Sequence, residues 1–124
     1  MKFYVCDICK NVVELVVDHK VTPFCCGKKM VELVPNTTDA AQEKHVPVIN
    51  VNDNVVEVVV GSVIHPQTEA HLINFIVLET TNGVYRKDLN ANDEPKARFT
   101  LNSDEKVVSA YAYCNLHGLW KSSL

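Results

Sequence analysis

The segment Lys106-Val107-Val108-Ser109-Ala110-Tyr111-Ala112-Tyr113-Cys114 has an alternating pattern that decides the fold class. One set of alternate residues would face one side of a strand: Val107, Ser109, Tyr111 and Tyr113. The other set would face the opposite side: Val108, Ala110, Ala112 and Cys114. A period of two is typical of a β-strand, because successive side chains point to opposite faces. The segment therefore predicts a strand that ends at Cys114.

Similar runs precede this strand and are separated by turn residues. They are residues 46–51, 55–64, 71–80, 84–87 and 96–101. Asn82-Gly83 predicts a tight hairpin turn between two of them, and only a short helical turn is expected around residues 38–44. About six short strands with no helices between them predict a mainly β chain with an immunoglobulin-like β-sandwich.

A cysteine-rich segment lies before the sandwich, with two strand-like runs at residues 12–17 and 30–34. It holds four of the five cysteines: Cys6, Cys9, Cys25 and Cys26. A C-x-x-C spacing followed by an adjacent pair can direct four thiolates at one metal, and such a set suits zinc or iron equally. A segment this short needs such a metal to fold. The polar stretch from Pro35 to Asp39 is the expected boundary, so we predict domains at residues 1–36 and 37–124.

Composition excludes several classes of protein. The chain has 124 residues, 47% hydrophobic and 22% charged, which is typical of a globular protein and not of a disordered one. Its net charge of −3 and the absence of a basic stripe argue against a nucleic-acid partner. We expect no membrane association, because the apolar runs are too short to span a bilayer and no secretory signal precedes them.

Four of the five histidines lie at or near the ends of predicted strands, namely His45, His65, His71 and His117. Strand ends of a sandwich meet at its rims, so these imidazoles and the Cys114 thiolate could converge on one metal. Zinc prefers four ligands, whereas five ligands leave an octahedral metal with one open position. A ferrous ion with one thiolate ligand carries a net positive charge, which favours a small anion at that position.

The chain resembles the desulfoferrodoxins, the two-iron form of superoxide reductase. The residues that carry the resemblance are Glu43-Lys44-His45-Val46-Pro47-Val48, Gly61-Ser62-Val63-Ile64-His65-Pro66 and Tyr113-Cys114-Asn115-Leu116-His117-Gly118-Leu119-Trp120. The four-cysteine segment is similar to the family's desulforedoxin-type module, so the resemblance covers essentially the whole chain.

The resemblance implies two iron ions and a division of the site residues between them. Cys6, Cys9, Cys25 and Cys26 would hold a rubredoxin-like iron. His45, His65, His71 and His117 would be equatorial ligands, and Cys114 the axial ligand, of a catalytic iron. Glu43 is implied as a sixth ligand in the ferric state, and Lys44 as the cation near the open position.

The resemblance further implies a cytoplasmic homodimer that reduces superoxide to hydrogen peroxide and is re-reduced by a rubredoxin-like electron donor. Two alternatives stay open at this point. One is an electron-transfer protein in which the second metal is structural zinc, which a visible spectrum would distinguish. The other is a superoxide dismutase, which needs no electron donor.

Overall fold

The computed structural model describes residues 1–124, which form two compact units, Met1–Val34 and Pro35–Leu124. The first unit contains only short strands: β1 Phe3–Val5, β2 Val12–Glu14, β3 Phe24–Cys25, β4 Lys28–Lys29 and β5 Val31–Glu32. Strands β2, β1 and β5 form one antiparallel sheet in that order, and β3 pairs with β4 as a hairpin. The buried core of this unit is Tyr4, Cys6 and Met30. Phe3 is the one other buried residue of the unit, so the core is very small, as expected for a unit that depends on a metal.

The second unit begins with one helical turn, α1 Gln42–His45. Seven strands follow it: β6 Pro47–Asn52, β7 Val55–Val60, β8 Ile73–Thr80, β9 Val84–Asp88, β10 Lys96–Thr100, β11 Val107–Cys114 and β12 Gly118–Ser123. They form a three-stranded sheet in the order β10-β7-β6 and a four-stranded sheet in the order β12-β11-β8-β9, both antiparallel. The mainly β architecture predicted from the alternation is confirmed. No helix of the chain is both long enough and apolar enough to cross a bilayer.

The hydrophobic core lies between the two sheets. Strand β7 shows the expected alternation, with Val56, Val58 and Val60 fully buried. They belong to one cluster with residues of the other sheet, including Ile76, Leu78, Ala110, Ala112 and Cys114. The Cys114 side chain is therefore part of the sandwich core.

Three of the expected strand features differ in the structure. The expectation for Val108 is wrong: it is 42% exposed, because the β8–β11 register shifts between Val107 and Ser109. Strand β7 ends at Val60, four residues earlier than expected, because the chain turns and the His65 amide donates to the Val60 carbonyl (3.0 Å). Strands β1, β3, β4 and β12 were not predicted.

The pairing registers bring four chain segments to one end of the sandwich. Pro47, at the start of β6, pairs with Val60, at the end of β7. Cys114, at the end of β11, pairs with both Ile73 and Gly118, which begin β8 and β12. The segments just outside these pairs contain His45, His65, His71 and His117, so the fold itself gathers the histidines.

Candidate metal centres

The first candidate centre lies in the N-terminal unit and consists of Cys6, Cys9, Cys25 and Cys26, whose sulfur atoms lie within 4.8 Å of one another. The Cys9 and Cys25 sulfurs are 3.6 Å apart, and the Cys25 and Cys26 sulfurs 3.9 Å. A tetrahedral metal with bonds of about 2.3 Å to sulfur places its ligands about 3.8 Å apart. The four sulfurs therefore fit one tetrahedral metal ion, with no disulfide among them.

Backbone amides already favour thiolates at this centre. The Cys9 amide donates to the Cys6 sulfur (3.5 Å), and the Asn11 amide donates to the Cys9 sulfur (3.5 Å). The first of these bonds is the main reason that the pKa of Cys6 falls to about 6. The neighbouring Cys9 thiol is the main reason that the pKa of Cys26 rises to about 12. Four crowded sulfurs resist full ionisation without a cation, which a metal would supply.

The second candidate centre lies in the Pro35–Leu124 unit and includes His45, His65, His71 and Cys114, whose donor atoms lie within 4.8 Å of one another. His117 completes it, because its Nδ1 lies 3.1 Å from His45 Nε2 and 3.9 Å from Cys114 Sγ. Metal–nitrogen bonds of about 2.1 Å at right angles place neighbouring nitrogens about 3 Å apart. The His45–His117 separation therefore fits two adjacent ligands of one metal.

The four imidazoles form a square. Neighbouring ring centroids in the order His45, His65, His71, His117 and back to His45 are 4.7, 4.6, 5.1 and 4.9 Å apart, and each pair is edge-on. The His45–His71 diagonal is longer, at 6.4 Å. The four histidines could therefore hold one ion between them, with Cys114 as a fifth donor.

The ring nitrogens identify which atom of each histidine is available. The Nδ1–H of His45 donates to the Ala41 carbonyl (2.7 Å), and that of His65 donates to the Pro66 carbonyl (2.5 Å). Nε2 is then the free nitrogen of both rings. The Nε2 atoms of His65 and His71 are buried and have no hydrogen-bond partner. Unpaired buried nitrogens are costly, and a metal bound at this centre would satisfy them.

Burial favours the neutral form of three of these imidazoles, which is the form that binds a metal. Desolvation lowers the pKa of His45 and His71, and it lowers the pKa of His65 to about 4. Desolvation also raises the pKa of Cys114, while the Leu116 and His117 amides oppose that effect. A cation would favour the thiolate and so reverse the effect of burial.

Glu43 and Lys44 lie in α1, directly before His45, and both are exposed. Their backbone is held by the turn after β7, since the Glu43 carbonyl accepts from the Val63 amide (2.8 Å) and the Ser62 hydroxyl (3.3 Å). Burial is the main cause of the lowered pKa of both His45 and His71, and the Lys44 ammonium makes a smaller contribution to each. Its charge therefore acts on opposite corners of the square.

Two further residues that support this centre were not identified from the sequence. Trp120 stacks on His45 with ring centroids 5.0 Å apart, and its Nε1–H donates to the His117 carbonyl (3.1 Å). Gly61 packs against α1 so closely that a Cβ atom would lie 2.6 Å from the Glu43 carbonyl oxygen. Trp120 lies only three residues beyond His117, and that proximity was the one available signal for it.

Several known proteins are similar to this chain in sequence and in fold. The model of the desulfoferrodoxin family matches residues 37–123. A desulfoferrodoxin homologue of Archaeoglobus fulgidus is 49% identical over 122 residues, covering 98% of this chain and 96% of the relative. The desulfoferrodoxin of Nitratidesulfovibrio vulgaris is 44% identical over 121 residues, covering 98% and 94%.

Solved structures give the same result for the fold. The superoxide reductase of Treponema pallidum is similar with a TM-score of 0.84 and 34% identity, covering 98% of both chains. A one-iron superoxide reductase of Giardia intestinalis is similar with a TM-score of 0.57 and 35% identity. The aligned region covers 66% of this chain and 97% of the Giardia chain.

Proposed function

Because this chain belongs to the desulfoferrodoxin family, we propose that it is a superoxide reductase with two iron centres. Its reaction is the uptake of one electron and two protons by superoxide, which gives hydrogen peroxide. The observation that carries this function is the square of four imidazoles together with the buried Cys114, whose sulfur lies 3.9 Å from His117 Nδ1. Iron bound there would supply the electron, and the thiolate would favour its donation.

The proposed ligands are His45, His65 and His71 through Nε2, His117 through Nδ1 and Cys114 through its sulfur. The support for this set is the 3.1 Å separation of the His45 and His117 nitrogens together with the unpaired Nε2 atoms of His65 and His71. Cys6, Cys9, Cys25 and Cys26 are the proposed ligands of the other iron. Their sulfur separations favour a tetrahedral ion there, which suits electron transfer.

Superoxide would bind on the face of the square opposite Cys114. Cys114 belongs to the sandwich core, so that opposite face points away from the core. Lys44 is exposed beside His45, and we assign to it the attraction of the anion. Glu43 is the carboxylate assigned to occupy the same position after turnover. Water would deliver the two protons.

The electron must come from another protein, and we propose a small iron–sulfur donor of the rubredoxin type. The first centre suits such a reaction, because Cys9 and Cys26 are exposed and the iron they would hold lies near the surface. We further propose a cytoplasmic homodimer with domains at residues 1–36 and 37–124.

The decisive experiment is the stoichiometry of the reaction. Iron-loaded protein would receive superoxide with and without a reduced donor, and peroxide, O2 and donor oxidation would be measured. A reductase forms one peroxide per superoxide, consumes one donor electron and releases no O2. Donor-independent formation of O2 and peroxide in equal amounts would identify a dismutase. A chain with zinc in the histidine site would react with neither stoichiometry and would lack the charge-transfer band of that site.

A further inference from the structure

Asn115 lies in the turn from β11 to β12, directly after Cys114. Its backbone amide donates to the Leu72 carbonyl (3.1 Å). Its side chain binds the same loop twice: Oδ1 accepts from the Leu72 amide (3.0 Å), and Nδ2 donates to the Ala70 carbonyl (3.0 Å). One residue therefore makes three hydrogen bonds to the loop that leads into β8.

The two side-chain bonds enclose His71. The Ala70 carbonyl belongs to the peptide group before His71, and the Leu72 amide belongs to the peptide group after it. Peptide groups are planar, so holding both leaves the backbone of His71 little freedom. The Asn115 side chain thereby fixes the backbone position from which the His71 side chain extends, with respect to Cys114.

The position of the His71 ring depends on its backbone more than the positions of the His45 and His65 rings do. The rings of His45 and His65 are each held by an Nδ1–H bond to a carbonyl. Nε2 of His71 is unpaired, and no protein group forms a hydrogen bond with its Nδ1. Thr68 bonds to the His71 backbone from within the same loop, through its amide (2.9 Å) and its hydroxyl (3.2 Å). Those bonds close the loop but do not attach it to β11.

We propose that Asn115 is a positioning residue that holds His71 at the distance from Cys114 required for shared metal binding, an inference that rests on the proposed function. It would act as the partners of metal-binding histidines commonly do, although through the backbone and not through the ring. Loss of such a partner typically weakens metal binding by about 10- to 100-fold.

The test compares Asn115→Asp with wild type, both loaded with iron. Aspartate has the shape of asparagine and keeps the acceptor for the Leu72 amide, but it has no N–H for the Ala70 carbonyl and places a second oxygen against it. Asn115→Ala removes both bonds without adding charge. The matched control is Asn54→Asp, because Asn54 Nδ2 donates to the Leu101 carbonyl (3.3 Å) beside the β6–β7 turn, at the other end of β7 from the histidines.

The first readout is the rate of iron transfer to a ferrous chelator. The second is the position of the thiolate-to-iron charge-transfer band of the histidine centre in the oxidised protein. We expect Asn115→Asp to lose iron from the histidine centre about 10- to 100-fold faster and to shift the band. The four-cysteine iron should be released at the wild-type rate in every variant, and Asn54→Asp should leave both readouts unchanged.

Equal iron retention and an unshifted band in wild type and Asn115→Asp would show that Asn115 is only a loop residue. Thermal unfolding separates loss of the fold from loss of metal. If Asn115→Asp does not fold, the uncharged Asn115→Ala gives the same comparison. Neither readout requires turnover. A wild-type chain that binds iron but does not reduce superoxide would refute the proposed function and leave this comparison intact.

Discussion

At the scale of single residues, the charge of Lys44 is the feature most directly linked to the proposed substrate. The chain has a net charge of −3, so its overall field repels an anion. Lys44 is exposed directly before His45, and its charge acts on both His45 and His71. A unit charge pair about 4 Å apart is worth roughly 1 kcal/mol in water, or about fivefold in local concentration.

We therefore expect Lys44→Met to react with superoxide up to about fivefold more slowly and with a weaker dependence on ionic strength. Pulse radiolysis at several salt concentrations would measure both. Lys106→Met is the control, because Lys106 is also exposed but precedes β11 at the end away from Cys114. If the two variants show equal rates and salt slopes, only net charge matters and Lys44 has no local role.

Trp120 combines two supports in one buried side chain, and two substitutions separate them. Trp120→Phe keeps an aromatic ring against His45 but loses the donor to the His117 carbonyl, whereas Trp120→Leu loses both. We expect iron loss to increase about fivefold in Trp120→Phe, the equivalent of one hydrogen bond of about 1 kcal/mol, and about 10- to 100-fold in Trp120→Leu. The same chelator assay measures this. Identical rates in both variants would assign the whole effect to the hydrogen bond.

At the scale of the elements, the position of α1 depends on Gly61. A Cβ atom at Gly61 would lie 2.6 Å from the Glu43 carbonyl oxygen, 3.0 Å from the Lys44 carbonyl carbon and 3.1 Å from the Val46 carbonyl oxygen. All three are backbone atoms, so the helical turn that carries Glu43, Lys44 and His45 has to move. Overpacking of this kind typically costs about 1–3 kcal/mol.

Gly61→Ala should therefore lower the unfolding midpoint of the second unit, by about 4–8 °C per kcal/mol, and slow the reaction with superoxide. Gly83→Ala is the matched control, because a Cβ atom there has no neighbour within 4 Å. Calorimetry and pulse radiolysis on both variants would measure the difference. A Gly61→Ala protein as stable and as fast as Gly83→Ala would mean that α1 tolerates the displacement.

The same elements show what local sequence can predict. Alternation identified β11, and turn residues separated the other strands, because both signals are carried by neighbours in the chain. Strand β12 was missed because Leu119 and Trp120 are adjacent and both buried, and its pairing is imposed by β11. Cysteines and histidines indicate a metal by their chemistry alone. The packing of Gly61 against α1 and the stacking of Trp120 on His45 depend on contacts with distant segments, which no local pattern carries.

At the scale of the whole molecule, the donor residues of the two centres lie in separate parts of the chain. The four clustered cysteines all precede Val34, whereas the four histidines of the second centre and Cys114 all follow Pro35. Cys9→Ser should therefore abolish the four-sulfur iron and destabilise the small first unit, while the rate of the reduced second centre with superoxide stays at the wild-type value. Iron content per chain and a single-turnover rate would measure this.

Cys114→Ser is the reciprocal control. It should lose the charge-transfer band of the histidine centre and the reaction with superoxide, but it should keep the four-sulfur iron. Serine lacks the soft, electron-donating sulfur of the thiolate. A Cys9→Ser protein whose single-turnover rate falls in proportion to its lost iron would show that the centres are not independent.

The junction between Val34 and Pro35 separates the donor atoms of one centre from those of the other, and each set lies entirely on one side of it. A gene that encoded residues 35–124 alone would still encode every donor of the histidine centre, and one for residues 1–34 would encode all four clustered thiolates. Recombination at this point would therefore add or remove a complete redox centre in one step. The four-cysteine unit can therefore be gained or lost as a module, since its loss leaves every donor of the other unit encoded.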